Sequence, residues 1–122
     1  MLGVPVGNTS ILVVDDESAV LRTTELILQS AGYTVSTATS AGDAIQLLQS
    51  RHFDFLLLDC IPSRDWVVLE AKRLNPGLRA AVCTGDSETT ELPLVDIVLH
   101  KPLPPLVLLK EIGALLCLSK AA

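Results

Sequence analysis

Three carboxylates, a hydroxyl and an amine occupy comparable places in this sequence, each beside a short apolar run. Asp15 and Asp16 follow ILVV (11–14), Asp59 follows FLLL (55–58), Thr84 follows AAVC (80–83), and Lys101 with Pro102 comes shortly after IVL (97–99). If those runs lie side by side in a sheet, the five side chains converge on one edge. Carboxylates crowded in this way repel, and one takes up a proton unless a cation binds. A hard divalent ion such as Mg²⁺ prefers oxygen ligands and keeps several waters, which leaves room for a phosphoryl oxygen. Asp59 then has the chemistry of a nucleophile toward phosphorus, because carboxylates form acyl-phosphate intermediates. Phosphoryl transfer depends on positioning and on neutralising charge spread over oxygens. Lys101, as a point charge, and Thr84, as a hydroxyl donor, are the residue types for that.

The elements that must position these groups follow from the patterning. Ile11 to Val14 reads as a buried strand. Ser18 to Ala31 carries apolar residues at helical spacing, with Gly32 where a C-cap belongs. Tyr33 to Ala38 alternates as a strand does. Ser40 followed by Asp43 resembles a capping box opening a helix through Gln49. Phe55 to Leu58 is continuously apolar, as in a parallel strand covered on both faces. Trp66 to Leu74 reads as a third helix, stopped by Asn75–Pro76–Gly77. Ala80 to Cys83 and Ile97 to Leu99 read as the fourth and fifth strands, and Pro104 to Leu118 as the last helix. Strands alternating with helices imply a parallel sheet with helices on both faces. The expected fold is α/β: a flavodoxin-like, doubly wound sheet of five strands in the order 2-1-3-4-5. Such sheets bind ligands beyond the carboxyl ends of their strands.

The totals are consistent with one domain: 122 residues, 49% of them apolar. The expected division is a tail over residues 1–9 and a domain over 10–119. A net charge of −5 argues against nucleic-acid binding. No apolar stretch has the length of a membrane span, and the first ten residues lack the pattern of a signal peptide. Cys60, Cys83 and Cys117 are odd in number and lack metal-ligand spacing, which fits reduced core thiols in a cytoplasmic protein. Cys60 and Cys83 fall at the ends of adjacent strands, where a disulfide is geometrically conceivable; two reduced thiols are the reading preferred. His52 and His100 read as surface or helix-end residues rather than ligands.

ILVVDDES (11–18), LLLDCIP (56–62), VCTG around Thr84, and HKPL (100–103) together resemble a response-regulator receiver domain over roughly residues 10 to 118. Each piece alone is weak, but the five positions in this order, each at a strand end, form a strong joint signal. The resemblance implies a role for each. Asp59 is the phosphoacceptor, loaded by a histidine kinase or a histidine phosphotransfer protein. Asp16 is the direct Mg²⁺ ligand and Asp15 the second acid of the pair. Thr84 is the hydroxyl that turns toward the phosphoryl group, and Lys101 the cation that pairs with it. The carbonyl of Ile61 is a further metal ligand. Transfer and hydrolysis would be self-catalysed, rather than the work of a dedicated enzyme.

The sequence departs from the family at three places. Only Cys60 and Ile61 separate Asp59 from Pro62, where the family has three residues. Trp66 stands where the family has a glycine, whose backbone freedom tryptophan lacks. The segment GDSETTELPLVDIVLH (85–100) is short, and Pro93 interrupts it. The helix between the fourth and fifth strands is therefore expected to be missing or shortened. Val98 takes the place of the aromatic switch residue. Output must then travel by another route: a loop that orders on phosphorylation, or a homodimer through the Leu-rich last helix.

Other readings stay beside this one. Asp15 and Asp16 could be acids at a helix N-terminus, Thr84–Gly85 a turn, and Lys101 a solvated lysine. A pseudo-receiver, an interaction module that signals without phosphorylation, is the second functional reading. A phosphatase or flavin-binding protein on the same fold ranks last, because no glycine- and hydroxyl-rich loop follows the first strand. No output domain is read after the last helix; a stand-alone receiver and a piece of a longer protein both remain open.

Overall fold

The structure, a computed structural model, describes residues 9–59, 61–86 and 92–121. Five strands are β1 (Ser10–Val14), β2 (Thr34–Ala38), β3 (Phe55–Asp59), β4 (Arg79–Thr84) and β5 (Ile97–His100). They form one parallel sheet in the order β2-β1-β3-β4-β5. Helices α1 (Ser18–Ser30), α2 (Ala41–Ser50) and α3 (Arg64–Leu74) join the first four strands, and α4 (Pro105–Ala121) follows β5.

Strand side chains alternate between the two faces of a sheet, and the core divides accordingly. Leu12, Val14, Leu56, Leu58, Ala80 and Val82 pack against Ile45 and Leu48 of α2 and Val67, Val68 and Ala71 of α3. Ile11, Val13, Phe55, Leu57, Ala81 and Leu99 pack against Leu21 and Leu28 of α1 and Leu108, Ile112 and Leu116 of α4. β3 is buried on both sides, which is why its sequence does not alternate. Each fully buried aliphatic side chain contributes about 1.5–3 kcal/mol, so the middle of the sheet is a rigid platform for whatever stands at its end.

Local sequence sets the boundaries. α1 ends in the arrangement that Gly32 predicts: φ is 97° there, Gly32 N–H donates to Gln29 C=O, and Tyr33 N–H to Leu28 C=O. Ser40 caps α2 by accepting from Asp43 N–H at 3.2 Å. Between β4 and β5 the described residues contain only turns and bends. No helix of the kind common between such strands appears among them; residues 87–91 lie outside the described set.

α3 begins at Arg64, two residues earlier than the pattern predicts. The left-handed backbone of this connection falls on Ser63, with φ 64° and ψ 25°, and the Ser63 carbonyl accepts from Trp66 N–H and Val67 N–H. Trp66 sits inside the helix, 51% exposed. The loop is thus rebuilt around a serine, a small residue that tolerates this conformation better than tryptophan would.

Candidate functional site

Parallel pairing fixes which strand ends are level. Val14 pairs with Leu58, Leu58 with Val82, and Val82 with Val98; one step on, Asp59 pairs with Cys83 and Cys83 with Leu99; Thr84 pairs with His100. The five candidate side chains therefore leave the sheet within about two residues of one another, at its carboxyl edge.

Asp15 is buried, 4% exposed. Its N–H donates to Ala38 C=O at 3.1 Å, and its Oδ1 accepts Glu17 N–H at 2.9 Å, which holds the carboxylate at the start of α1. Asp16 is exposed and Asp59 half-buried. One carboxylate oxygen from each of Asp15, Asp16 and Asp59 lies within 4.8 Å of the others. The Asp15 pKa is raised, chiefly because burial disfavours its charged form; the Glu17 N–H works against this, and the nearby charge of Asp59 adds to it.

Lys101 answers the negative charge. Its Nζ lies 2.6 Å from Asp59 Oδ1, and its N–H donates to Thr84 C=O at 2.8 Å, which carries β5 past its last paired residue. Burial alone would lower the lysine pKa, but the carboxylates of Asp59 and Asp15 outweigh it and raise it. The ammonium approaches off the axis of a hydrogen bond, so among the described residues no aligned donor reaches this buried oxygen. Three carboxylates this close form a donor set suited to a hard, oxygen-seeking cation.

Thr84, 4% exposed, accepts Asp86 N–H at its Oγ1 at 3.0 Å, leaving the hydroxyl hydrogen to be donated. Ile61 is different. Its side chain is buried in the core, its N–H donates to Asp59 C=O at 2.9 Å, and its carbonyl accepts Arg64 N–H at 3.3 Å. The shortened connection thus turns this carbonyl to the start of α3. Of the expected metal ligands, Ile61 is the one the geometry supports least. Cys60 lies outside the described residues, so the Cys60–Cys83 pairing does too; Cys83 is buried and Cys117 exposed. His52 is exposed, 3.2 Å from Asp54, and His100 is exposed at the end of β5. A groove of about 870 Å³ runs from the carboxylates between α1 and α4, walled by Val20, Thr24 and Leu108.

Sequence reasoning missed one cluster. Asp96, just before β5, accepts from Lys72 Nζ of α3 at 2.9 Å, Arg79 Nη1 at 3.2 Å and Ala80 N–H at 2.7 Å. A lone acid in the apolar run LPLVDIVL was the available signal, and nothing in the spacing pointed to its partners.

Residues 11–113 match the family described as the response regulator receiver domain. Over 80 residues the chain is 44% identical to the alginate biosynthesis transcriptional regulatory protein AlgB of Pseudomonas putida, and 41% identical to AlgB of Pseudomonas aeruginosa. Each alignment covers 63% of this chain and 18% of the AlgB protein, so the match spans about a fifth of those relatives. A CheY-like receiver domain protein of Methanospirillum hungatei superposes with a TM-score of 0.82 at 28% identity, covering 93% of this chain and 97% of that one. A response regulator receiver protein of Sinorhizobium medicae gives 0.81 at 28% identity, covering 93% and 98%. With the sheet order, the acidic edge and a family match over most of its length, the chain belongs to the receiver domains of two-component response regulators.

Proposed function

We propose that this receiver accepts a phosphoryl group on Asp59 from the phosphohistidine of a histidine kinase or histidine phosphotransfer protein, in a Mg²⁺-dependent step. The observation that carries the reading is the placement of Asp59 between two neighbouring carboxylates and the Lys101 ammonium at 2.6 Å. Asp16 and Asp59, with Asp15 behind them, would hold the cation, and the Ile61 carbonyl contributes little. When bound, Mg²⁺ supplies charge neutralisation and a fixed position for a phosphoryl oxygen.

The chain's own residues supply the rest. An Asp59 carboxylate oxygen attacks phosphorus; the O–P bond forms, the P–N bond breaks, and its electron pair returns to the imidazole nitrogen. Lys101 stays beside Asp59 and exchanges a carboxylate partner for phosphoryl oxygens. Thr84 donates its hydroxyl hydrogen to one of them, since its oxygen already accepts from Asp86. In hydrolysis, water attacks phosphorus, the O–P bond to Asp59 breaks, and the carboxylate is restored. The other expected roles follow as proposals: a cytoplasmic phosphoprotein acting on protein partners rather than nucleic acid. No helix among the described residues is long and apolar enough to cross a membrane. The likeness to AlgB supports placing the receiver upstream of a transcriptional output. α4 is the proposed dimer surface, with Leu106 81% exposed.

Intact mass after incubation with a small phosphodonor tests the core of this reading. One added phosphoryl group is expected with Mg²⁺ and none with excess chelator; no addition under either condition contradicts it.

A further inference from the structure

The connection from β4 to β5 covers residues 85–96, and none of its described residues is helical. Its far end is fixed by Asp96. The Asp96 N–H donates to Ala80 C=O at 2.9 Å, and Asp96 Oδ2 accepts both Ala80 N–H at 2.7 Å and Lys72 Nζ at 2.9 Å. Asp96 Oδ1 accepts from Arg79 Nη1 at 3.2 Å. Lys72 also donates to Leu78 C=O at 2.7 Å. The two partners are mostly shielded, with 19% of the Lys72 side chain and 18% of the Asp96 side chain exposed, so solvent screens the pair less than a surface ion pair. Arg79 lies on β4 itself. Lys72 lies in the last turn of α3, so its bond ties a helix to the start of β5.

The other end of each element meets the acidic edge. β5 is four residues long and leads into Lys101, 2.6 Å from Asp59, with its N–H on Thr84 C=O. α3 starts five positions after Asp59, across a connection held by Ile61 N–H on Asp59 C=O and Arg64 N–H on Ile61 C=O. Both ends of α3 are therefore tethered to the site, one along the chain and one through Lys72, Asp96 and β5.

We propose that α3 carries the change of state at Asp59 to the protein surface, and that the Lys72–Asp96 ion pair makes the helix move with β5. The proposal rests on Asp59 being the phosphoryl acceptor. When Lys101 shifts to phosphoryl oxygens, β5 shifts with it. Asp96 keeps Arg79 and Ala80 N–H, but parting from it would leave the shielded Lys72 ammonium with only the Leu78 carbonyl, in a poorly solvated place. Packed elements joined in this way change between discrete arrangements rather than bending smoothly. The outward face of α3 presents Trp66 and Leu69, 51% and 56% exposed and one turn apart, so a shift of this helix rearranges an apolar surface patch.

Amide hydrogen exchange over α3 and Trp66 emission test this, with and without Mg²⁺ and beryllofluoride, which copies a phosphoryl group on a carboxylate. Native mass reads adduct formation separately. Wild type and Arg79→Met should both form the adduct and change α3 exchange by roughly tenfold, within the range local openings span. Lys72→Met should form the adduct as well as wild type but lose the α3 change, and Lys72→Arg should restore it. An unchanged α3 response in Lys72→Met overturns the proposal, as does an equal loss in Arg79→Met, which would mean general loosening. An adduct in wild type with no change in α3 overturns the coupling alone. Absence of any adduct in wild type overturns the phosphoacceptor reading and the coupling together.

Discussion

Lys101 Nζ and Asp59 Oδ1 meet at 2.6 Å across the end of β4, the strand that separates their own two strands. The contact needs β5 to continue beyond its last pairing, which the bond from Lys101 N–H to Thr84 C=O ensures. The lysine is already placed where charge accumulates during transfer, so little reorganisation is required.

Lys101→Met should leave the fold intact, because the side chain is 39% exposed. It should slow phosphorylation by a small phosphodonor roughly 10²-fold, the usual effect of losing one preorganised electrostatic partner. Quench-and-mass time courses measure this; an unchanged rate removes Lys101 from the chemistry.

Asp15 makes the opposite kind of prediction. Burial and the charge of Asp59 raise its pKa above the ordinary 3.8, so the folded state binds this proton more tightly than the unfolded chain. Its ionised form therefore destabilises the metal-free protein above that range, and the penalty fades as pH falls through the raised value. Asp15→Asn keeps an acceptor for Glu17 N–H and removes the charge. Its melting temperature at pH 7 without metal should rise by about 2–8 °C, and Mg²⁺ should stabilise it less than wild type. A fall in the metal-free melting temperature contradicts this.

Asp96 reverses the sign again. Burial would raise its pKa, but Lys72, Ala80 N–H and Arg79 outweigh it and lower the value below 3.8. Its contribution is complete above the unfolded value and is lost as pH falls through the lower folded value. Asp96→Asn should cost about 1–3 kcal/mol at pH 7, the range for hydrogen bonds involving charged groups. The difference from wild type should shrink in strong acid. Urea unfolding at pH 7 and below pH 4 checks both parts; a cost that stays constant with pH assigns the effect to shape alone.

The sheet, its order and the four helices of the described residues were legible because apolar periodicity reports burial directly, as in Phe55 to Leu58. The convergence of Asp15, Asp16 and Asp59 was legible because strand ends in a parallel sheet share an edge. The short loop was also visible, but its solution was not. Which residue takes the left-handed backbone depends on how α3 docks, and Ser63 carries no sequence mark for it. The partners of Asp96 were hidden for a related reason. Lys72 and Arg79 come from different elements, and only packing brings them to one carboxylate. The Arg64 bond to the Ile61 carbonyl likewise appears only once the chain is folded.

The most direct measurement locates the phosphoryl group. The protein is treated with a small phosphodonor and Mg²⁺, reduced with borohydride, which converts an aspartyl phosphate to homoserine, and sequenced by mass spectrometry. Homoserine is predicted at position 59 and nowhere else, and Asp59→Asn should yield none. Homoserine at position 15 or 16, or a phosphoryl group retained by Asp59→Asn, would contradict the account.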